Sequence, residues 1–421
     1  MKNKFSLRNA GTLLSLGGSI ALAACGGGDE PLGTGSTPGN GANDTVLFSA
    51  IAAGHFYGCG ILTTGETFCW GKNTLGALGA GSQATADTSL RNLPLQIASD
   101  VAMVSVSAGE AHTCSIDPAG EAFCWGSNGL GQLASPVLPC LFFAGCSDVP
   151  IKVTGGLKFT WIAPGQLHTC ALTPDGEAFC WGVNRSGELG VGAAGSDVCL
   201  GTACNATPAA VVGGLVFTSI TAGSAHTCAL AADGTAYCWG FNQVGQLGIG
   251  SAVADECGIT RSPCSNVPLA VSGGLKFSAL EAGGLNTCGI TNDGRTMCWG
   301  NDGLRDSSEV VSVPVEVAGG VAFTSLSVGS GWACGINSAS DVYCWGTSPA
   351  TLGDGTIRNQ SATPVLVAGQ LKFASVSVGL PHACGVTTGS VAYCWGDNAS
   401  GALGWGGIGI ATVPVMVEVG G

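Results

Sequence analysis

The sequence predicts an all-β protein, a seven-bladed β-propeller, because three patterns each occur seven times within residues 45–421. The first is a nine-residue strand pattern that ends in glycine. The second is a hairpin flanked by two cysteines, and the third is Pro-x-x-Val or Pro-x-x-Ile. The chain has 71 glycines, only 10% charged residues and no long amphipathic helical period, which suits short strands joined by tight turns.

The first pattern alternates apolar positions with small or polar ones, as is typical of half-buried strands. LKFSALEAG, residues 275–283, is one example. Six of the seven units carry a phenylalanine six residues before the glycine, and Met103 takes that place in the other unit. The closing glycines are Gly54, Gly109, Gly165, Gly223, Gly283, Gly329 and Gly379.

The second pattern predicts a β-hairpin. A cysteine follows each closing glycine by five residues, and after nine further residues comes Cys-Trp-Gly. The turn often reads Asp-Gly, as at Asp175-Gly176. This spacing places the two cysteines opposite each other, within disulfide range. The predicted pairs are Cys59–Cys69, Cys114–Cys124, Cys170–Cys180, Cys228–Cys238, Cys288–Cys298, Cys334–Cys344 and Cys384–Cys394.

The third pattern predicts an outer strand, because proline can open an edge strand without breaking a ladder. The chain begins with a strand and a hairpin and ends with the Pro414–Val417 strand. We therefore expect the C-terminal strand to pair beside the N-terminal hairpin, so that both termini complete the seventh blade. An open solenoid is the structural alternative, although it would need distinct capping repeats.

The first 25 residues have the three parts of an export signal, namely a basic start, an apolar centre and small residues before a cysteine. Leu22-Ala23-Ala24-Cys25 resembles the lipobox of bacterial lipoproteins. In that family the cysteine thiol is acylated with diacylglycerol, the preceding peptide is then cut, and the new amino terminus usually receives a further acyl chain. We expect residues 1–24 to be a signal peptide and Cys25 to carry acyl chains such as palmitate. An ordinary signal peptide with a chance cysteine is the alternative.

Residues 25–44 predict a lipidated cysteine followed by a flexible tether, because residues 26–44 are nearly all Gly, Pro, Ser, Thr, Asn and acidic residues. The propeller is expected to occupy residues 45–421. Gly26 stands where many inner-membrane lipoproteins carry an aspartate, and this favours the outer membrane. We expect the lipid to be the membrane contact of a monomeric protein of the cell envelope.

The formal net charge of −13 repels phosphate backbones and anionic headgroups, so nucleic acid is not an expected partner. The sequence contains no Gly-x-Ser-x-Gly elbow, phosphate-binding Gly-Lys-Ser/Thr or His-Glu-x-x-His motif. We therefore predict no enzyme activity, no catalytic residues, no cofactor and no metal site. A hydrolytic site of scattered carboxylates built on loops or in the central opening stays open.

Two stretches carry a family resemblance: residues 223–250, GSAHTCALAADGTAYCWGFNQVGQLGIG, and residues 165–192, GQLHTCALTPDGEAFCWGVNRSGELGVG. They resemble the repeat of the regulator of chromosome condensation family, and the likeness covers essentially all of residues 45–421. The Asn and Gly-Gln-Leu-Gly signature is lost after Trp299 and Trp345, so the loops there should differ. The family's eukaryotic namesake exchanges nucleotide on the Ran GTPase and binds chromatin. Export and negative charge argue against that activity here.

Three insertions lie at the same place in consecutive units, at residues 133–149, 192–207 and 250–267. Equivalent positions in a propeller share one face, so these loops should form one surface. Leu141, Phe142 and Phe143 supply an apolar tip, the candidate partner surface. Loop drift is the alternative. Each insertion holds a predicted disulfide, and the pairs are Cys140–Cys146, Cys199–Cys204 and Cys257–Cys264.

The histidines and tryptophans recur with the units and are interpreted as packing and hydrogen-bonding groups rather than metal ligands or a ligand cage. Four histidines, His112, His168, His226 and His382, occupy the third place after the closing glycine, and the remaining histidine, His55, occupies the first. Tyr57, Asn286 and Trp332 fill the third place elsewhere. Trp161, Trp332 and Trp405 depart from the Trp-Gly pattern.

We therefore predict an envelope-anchored binding or scaffold protein that presents a propeller face with disulfide-stapled loops to a protein or glycan partner. The alternative is an enzyme inhibitor, by resemblance to the secreted propeller that inhibits β-lactamases. Guanine-nucleotide exchange and hydrolysis are weaker alternatives.

Overall fold

The computed structural model describes residues 46–81, 90–135, 145–193, 195–250, 255–257, 261–301, 304, 310–348 and 350–420. These residues form seven antiparallel sheets. The first strand of each sheet contacts the first strands of both neighbouring sheets, so the sheets close a ring. The predicted seven-bladed β-propeller is confirmed. Within these ranges no helix has the length and apolar character needed to cross a membrane.

The strands follow one another within each blade in chain order. Blade 1 holds β1 (Phe48–Ala53), β2 (Tyr57–Leu62), β3 (Thr67–Gly71) and β4 (Arg91–Gln96), with a short 3-10 turn at Thr74–Gly76. Blade 2 holds β5 (Ser105–Ala108), β6 (His112–Ile116), β7 (Ala122–Ser127) and β8 (Cys146–Lys152). Blade 3 holds β9 (Trp161–Pro164), β10 (His168–Leu172), β11 (Ala178–Val183), β12 (Asp197–Cys199) and β13 (Thr202–Ala210).

Blade 4 also has five strands, β14 (Phe217–Ala222), β15 (His226–Ala231), β16 (Ala236–Phe241), β17 (Asp255–Cys257) and β18 (Ser262–Ala270). Blade 5 holds β19 (Phe277–Gly283), β20 (Asn286–Thr291), β21 (Thr296–Gly300) and β22 (Val311–Glu316). Blade 6 holds β23 (Phe323–Val328), β24 (Trp332–Asn337), β25 (Val342–Thr347) and β26 (Gln360–Leu366). Blade 7 holds β27 (Phe373–Val378), β28 (His382–Thr387), β29 (Ala392–Asp397) and β30 (Ile410–Met416).

The hydrophobic core is divided among the interfaces between blades. Seven clusters of buried side chains each join residues of two neighbouring blades. In one of them Leu172 of blade 3 packs with Phe217 and Trp239 of blade 4. All seven tryptophans of the Cys-Trp-Gly pattern are fully buried. Burial of one such aromatic side chain stabilises the fold by about 3 kcal/mol, so each repeated tryptophan seals one interface.

The structure corrects the predicted closure of the ring. β30 pairs with β29 of its own blade, with Tyr393 opposite Met416, and does not join the sheet of blade 1. Every blade is therefore one contiguous segment of chain. The prediction was wrong because the order of the three patterns is the same whether the Pro-x-x-Val strand joins the preceding or the following hairpin. The local connection between Asp397 and Ile410 is long enough to close the blade within itself.

The two ends of the propeller nevertheless meet, through packing rather than strand pairing. Phe48, Ile51 and Trp70 of blade 1 share a core cluster with Ala411 and Val417 of blade 7. The Trp70 Nε1 donates to the Ala402 carbonyl at 2.8 Å, and the Phe48 N–H donates to the Ser390 carbonyl at 2.7 Å. The ring is closed, and the open solenoid is excluded.

The two faces of the ring differ in the segments they carry. Each first strand ends at its closing glycine, and the third strand returns to the same end, where the Lys72 N–H donates to the Phe56 carbonyl at 2.8 Å. We name this end the mouth face. It also carries the connections between third and fourth strands, which include the inserted segments. Val46 enters the propeller at the other end, which we name the opposite face.

Each blade hairpin is closed by a disulfide. The two cysteines lie directly opposite each other in β2 and β3 and in the equivalent strands of the other six blades. Their Cα atoms are 4.0–4.1 Å apart. Such a crosslink contributes about 2–4 kcal/mol and fixes the register of the hairpin that carries the tryptophan.

Candidate docking face

A central cavity opens on the mouth face. Its volume is about 270 Å³, and each blade contributes three consecutive residues to its wall, namely the closing glycine and the residues before and after it. We name this cavity the mouth. Glycine is required here by close packing, because a Cβ atom on Gly165 would lie 2.5 Å from the carbonyl oxygen of Gly223 in the next blade. The seven closing glycines thus let the inner strands approach each other around the mouth.

Polar side chains at the mouth come from the residue that follows each closing glycine. His55 and Glu110 form a close pair, with the Nδ1 of His55 3.7 Å from the Oε1 of Glu110. Gln166, Ser224 and Ser330 occupy the same place in blades 3, 4 and 6. This ring was not predicted from the sequence. Its signal was available, because the residue before the glycine is always apolar whereas the residue after it varies.

The histidines at the third place link neighbouring blades. The Nε2 of His168 lies 2.9 Å from the Thr227 hydroxyl, and that hydroxyl donates to the Glu188 carbonyl at 2.9 Å. Because the hydroxyl proton is used by the carbonyl, the histidine nitrogen must be the donor. The same contact joins His112 to Thr169 at 2.9 Å and His226 to Thr287 at 3.0 Å.

These histidines are neutral groups of the interior. Burial lowers the pKa of His168 to about 4 and lowers the pKa values of His112, His226 and His382 to about 3. For His112, His168 and His226 the structure thus agrees with the interpretation as hydrogen-bonding groups. In the described part of the chain no group of three or more His, Cys, Asp or Glu side chains is arranged to hold a metal ion.

The linkage weakens in blades 5 to 7, where the sequence departs from its own repeat. Ala333 and Gly58 stand at the positions where the other blades offer a threonine hydroxyl. The side chains of Asn286 and His382 accordingly have no hydrogen-bond partner among the described residues. Within the same ranges, Trp345 and Trp395 lack the carbonyl that accepts from the other repeated tryptophans. The loops after Trp299 and Trp345 were predicted to differ from the repeat, and the missing carbonyl acceptors for Trp345 and Trp395 agree with that prediction.

Two tryptophans outside the Trp-Gly pattern are interior residues as well. The Nε1 of Trp161 donates to the Ile220 carbonyl at 2.6 Å, and the Nε1 of Trp332 donates to the Gly379 carbonyl at 3.2 Å. Trp405 is half-buried and packs at the interface of blades 7 and 1.

The inserted segments of blades 3 and 4 are short hairpins that extend the blade sheets beyond the mouth face. β12 pairs with β13 and β17 pairs with β18, and each hairpin is closed by its disulfide, Cys199–Cys204 or Cys257–Cys264. Cys146 is disulfide-bonded, whereas its predicted partner Cys140 lies outside the described residues. Leu141, Phe142 and Phe143 also lie outside them, as does the predicted lipidation site Cys25.

Exposed aliphatic side chains are concentrated on the rim of the mouth face. In the described ranges eight large apolar side chains are more than half exposed, and six of them lie on this rim. Ile357 is 82% exposed, Ile408 77% and Val198 76%. We call the six the aliphatic rim; its members are Val198, Leu200, Val310, Ile357, Ile408 and Ile410. The other two, Val216 and Leu366, lie toward the opposite face.

The rim was not predicted, although its position has a sequence signal. Val310, Ile357, Ile408 and Ile410 all shortly precede a Pro-x-x-Val strand, at the turn that follows the blade's third strand. Aliphatic side chains scattered singly over a surface are ordinary. Here six of the eight side chains that are more than half exposed lie around the rim of one face.

Glu188 is a buried carboxyl at a position that blades 2 and 4 fill with glutamine. It is 2% exposed, and its Oε2 accepts from the Ser186 N–H at 2.7 Å. Burial raises the pKa of Glu188 to about 7. Its backbone carbonyl accepts from both Thr227 and the Nε1 of Trp239, each at 2.9 Å. The residue that carries the buried carboxyl therefore also forms the hydrogen bonds that link blades 3 and 4, through its backbone carbonyl.

The fold defines a class of protein, the seven-bladed β-propellers. The pattern described as the regulator of chromosome condensation (RCC1) repeat matches residues 64–116, 119–172 and 233–290. A second pattern of the same description matches residues 103–132, 162–188 and 217–246. The chain belongs to the family of RCC1-repeat propellers.

The curated relatives share part of their length with this chain. The ultraviolet-B receptor UVR8 of Arabidopsis thaliana is 30% identical over 263 residues, 61% of this chain and 53% of the plant protein. The human probable E3 ubiquitin-protein ligase HERC4 is 33% identical over 209 residues, 48% of this chain and 18% of the ligase. The chain thus spans about half of the first relative and less than a fifth of the second.

Solved structures share the fold at low identity. Human WBSCR16 superposes with a TM-score of 0.73 at 20% identity, covering 85% of this chain and 95% of that chain. Yeast RCC1 (Prp20), solved bound to Kap60, superposes with a TM-score of 0.70 at 20% identity, covering 90% of this chain and 86% of that chain. At this identity the likeness establishes the fold alone.

Proposed function

We propose that the protein is a binding module of the bacterial cell envelope that docks a protein partner on its mouth face. The observation that carries the proposal is the aliphatic rim, because six of the eight most exposed large apolar side chains of the described residues lie around that face. The stapled hairpins of blades 3 and 4 project from the same face. Yeast RCC1, a structural neighbour, was solved bound to another protein.

A lipid anchor at Cys25 suits this orientation. Residues 26–45 number 20, and a chain of this length with the expected flexibility would reach about 25 Å on average. Because Val46 enters the propeller at the opposite face, an anchor at Cys25 would attach there and leave the mouth face free to turn away from the bilayer. Cys25→Ala is expected to release the protein from the membrane fraction and to remove its acyl mass. Unchanged sedimentation and mass would contradict the anchor.

The docking proposal is tested with a triple variant of the aliphatic rim and a double variant that serves as its control. Val198→Ser, Leu200→Ser and Ile357→Ser together remove half of the aliphatic rim, whereas Val216→Ser and Leu366→Ser change the two other side chains that are more than half exposed, which lie toward the opposite face. The mature protein is used to capture envelope proteins, and quantitative mass spectrometry compares the recovered partners. We expect the rim variant to lose partners that the control variant keeps. Equal recovery by both variants would overturn the proposal.

The predicted tip of blade 2 is tested separately. Deletion of residues 138–147 removes Leu141, Phe142 and Phe143 together with both cysteines of that insertion. If this tip belongs to the docking surface, the deletion weakens capture of the same partners. Full retention would confine docking to the other blades. A glycan partner would instead give capture that survives protease treatment of the extract.

Inhibition of a globular enzyme is the second candidate, because a broad aliphatic rim suits a large and gently curved partner. The purified mature domain should then lower the activity of at least one member of a panel of β-lactamases. Full activity of every enzyme in the panel would remove this candidate.

A further inference from the structure

We propose that the mouth binds a cationic side chain, arginine or lysine, with Glu110 as its counter-charge. The inference rests on the proposed function, because it specifies which chemistry a docked partner presents at the centre of the mouth face. It concerns the cavity rather than the aliphatic rim, so the two can be tested apart.

The mouth has the size of one long side chain. Its volume is about 270 Å³, and residues of all seven blades line it. The cavity is open to solvent and holds several waters when no partner fills it. Displacing those waters favours binding where the wall is apolar.

The wall and the charge of the mouth match the two parts of such a side chain. The residues before the closing glycines are all apolar, and they are Ala53, Ala108, Pro164, Ala222, Ala282, Val328 and Val378. They line the mouth, and because their side chains are themselves buried, each offers a small apolar surface to the methylene stem of a lysine or arginine. Among the residues that the structure describes, Glu110 is the one acidic residue that lines the mouth, and neither lysine nor arginine lines it. The carboxylate can therefore receive the charged head.

The position of Glu110 leaves it accessible from the cavity. Its side chain is 39% exposed, and its neighbour His55 lies 3.7 Å away, farther than a normal hydrogen bond. His55 stacks on Phe56 with ring centroids 4.2 Å apart, which keeps the imidazole at the edge of the mouth. The Nζ of Lys72 lies 5.6 Å from the centroid of the Phe56 ring, and Lys72 does not line the cavity.

A cation fits this cavity better than a sugar or an anion does. Glu110 repels an anion. A sugar ring carries hydroxyl groups around its whole edge, and the apolar residues at the base of the mouth could not satisfy them. Gln166, Ser224 and Ser330 lie at the entrance, where they can accept further hydrogen bonds from a guanidinium or ammonium group.

The test uses small probes, so it does not depend on knowing the partner. N-acetyl-arginine amide carries the charge, and N-acetyl-citrulline amide is its neutral counterpart of nearly the same shape. Ligand-observed NMR titration measures the binding of each probe to the mature protein. We expect saturable binding of the arginine probe and at least about fivefold weaker binding of the citrulline probe, as for one partly exposed ion pair.

Glu110→Gln should reduce binding of the arginine probe to the level of the citrulline probe, and Glu418→Gln on the opposite face should leave it unchanged. Equal binding of both probes, an unchanged affinity of the Glu110→Gln variant, or binding of methyl glucoside in place of the arginine probe would overturn the inference. If the arginine probe fails while the rim variant still loses its partners, the inference falls and the proposed function stands. If the arginine probe binds while the rim variant keeps its partners, the mouth binds a cationic side chain but the proposed docking on the aliphatic rim falls.

Discussion

Replacing Glu188 by glutamine should stabilise the protein, and the gain should grow with pH. Gln132 and Gln246 fill the equivalent position in blades 2 and 4. The Oε1 of Gln132 accepts from the Leu130 N–H at 3.0 Å, as the Oε2 of Glu188 accepts from the Ser186 N–H. A glutamine side chain therefore preserves the hydrogen bond and removes a buried charge.

The magnitude follows from the raised pKa. The pKa of Glu188 moves from 4.5 to about 7 on folding, which is about 2.5 pH units, and each unit corresponds to 1.36 kcal/mol. The folded state binds this proton more tightly than the unfolded chain does. The stabilising contribution is therefore complete below about pH 4.5 and is lost as the pH rises through about 7. At pH 8 the wild-type protein should be less stable than the Glu188→Gln variant by about 3 kcal/mol.

Urea unfolding at pH 5, 6, 7 and 8 measures this difference, with tryptophan fluorescence as the signal and the disulfides left intact. All other titrating groups are common to both proteins and cancel. The reciprocal change, Gln246→Glu in blade 4, should introduce the same pH dependence with the opposite sign. A difference between wild type and Glu188→Gln that is the same at every pH would refute the reasoning, because it would mean that Glu188 is equally ionised in both states.

Three further predictions concern the interior. Burial lowers the pKa values of the four repeated histidines from 6.5 to about 3 or 4, so the stability that their neutral form supports is complete above pH 6.5 and is lost as the pH falls. At pH 5 each histidine should lower the free energy of unfolding by about 2 kcal/mol, measured as a fall in the urea midpoint. A urea midpoint that does not change between pH 7 and pH 5 would contradict this. Thr227→Ala leaves His168 and the Glu188 carbonyl without their hydroxyl and should cost about 1–3 kcal/mol, whereas Thr218→Ala, which loses one half-exposed hydrogen bond, should cost little. Gly165→Ala forces a Cβ atom to within 2.5 Å of the Gly223 carbonyl and should cost about 1–3 kcal/mol, whereas Gly389→Ala, with its nearest atom at 3.9 Å, should be neutral or slightly stabilising; equal melting temperatures would argue against close packing at the mouth.

The regular part of the fold could be predicted because each repeat encodes its own local structure. Alternation defined the first strand, the nine-residue gap defined the hairpin, and the Trp-Gly pair defined the interface. The closure of the ring could not be predicted in the same way. Whether the strand at Pro414 joins the hairpin before it or the hairpin at Cys59 is decided by the loop between Asp397 and Ile410, and the spacing of the patterns is the same in both cases.

The candidate site was harder to predict because it is built from residues that do not repeat. The mouth depends on the variable residues after the closing glycines, and His55 and Glu110 become neighbours only because blades 1 and 2 are adjacent. The aliphatic rim is spread over several blades, and no single stretch of sequence contains it. The prediction that the inserted segments share one face rested on the repeat itself, and the hairpins of blades 3 and 4 both project from the mouth face.

The most direct test of the central claim is site-specific photo-crosslinking of the full chain in intact cells. A benzoylphenylalanine is placed in turn at Ile357 and Ile408 on the aliphatic rim, and at Val216 and Leu366 toward the opposite face. If the mouth face is the docking surface, we expect defined protein adducts from Ile357 and Ile408 and none from Val216 and Leu366. Adducts from Val216 and Leu366 with none from Ile357 and Ile408 would contradict it.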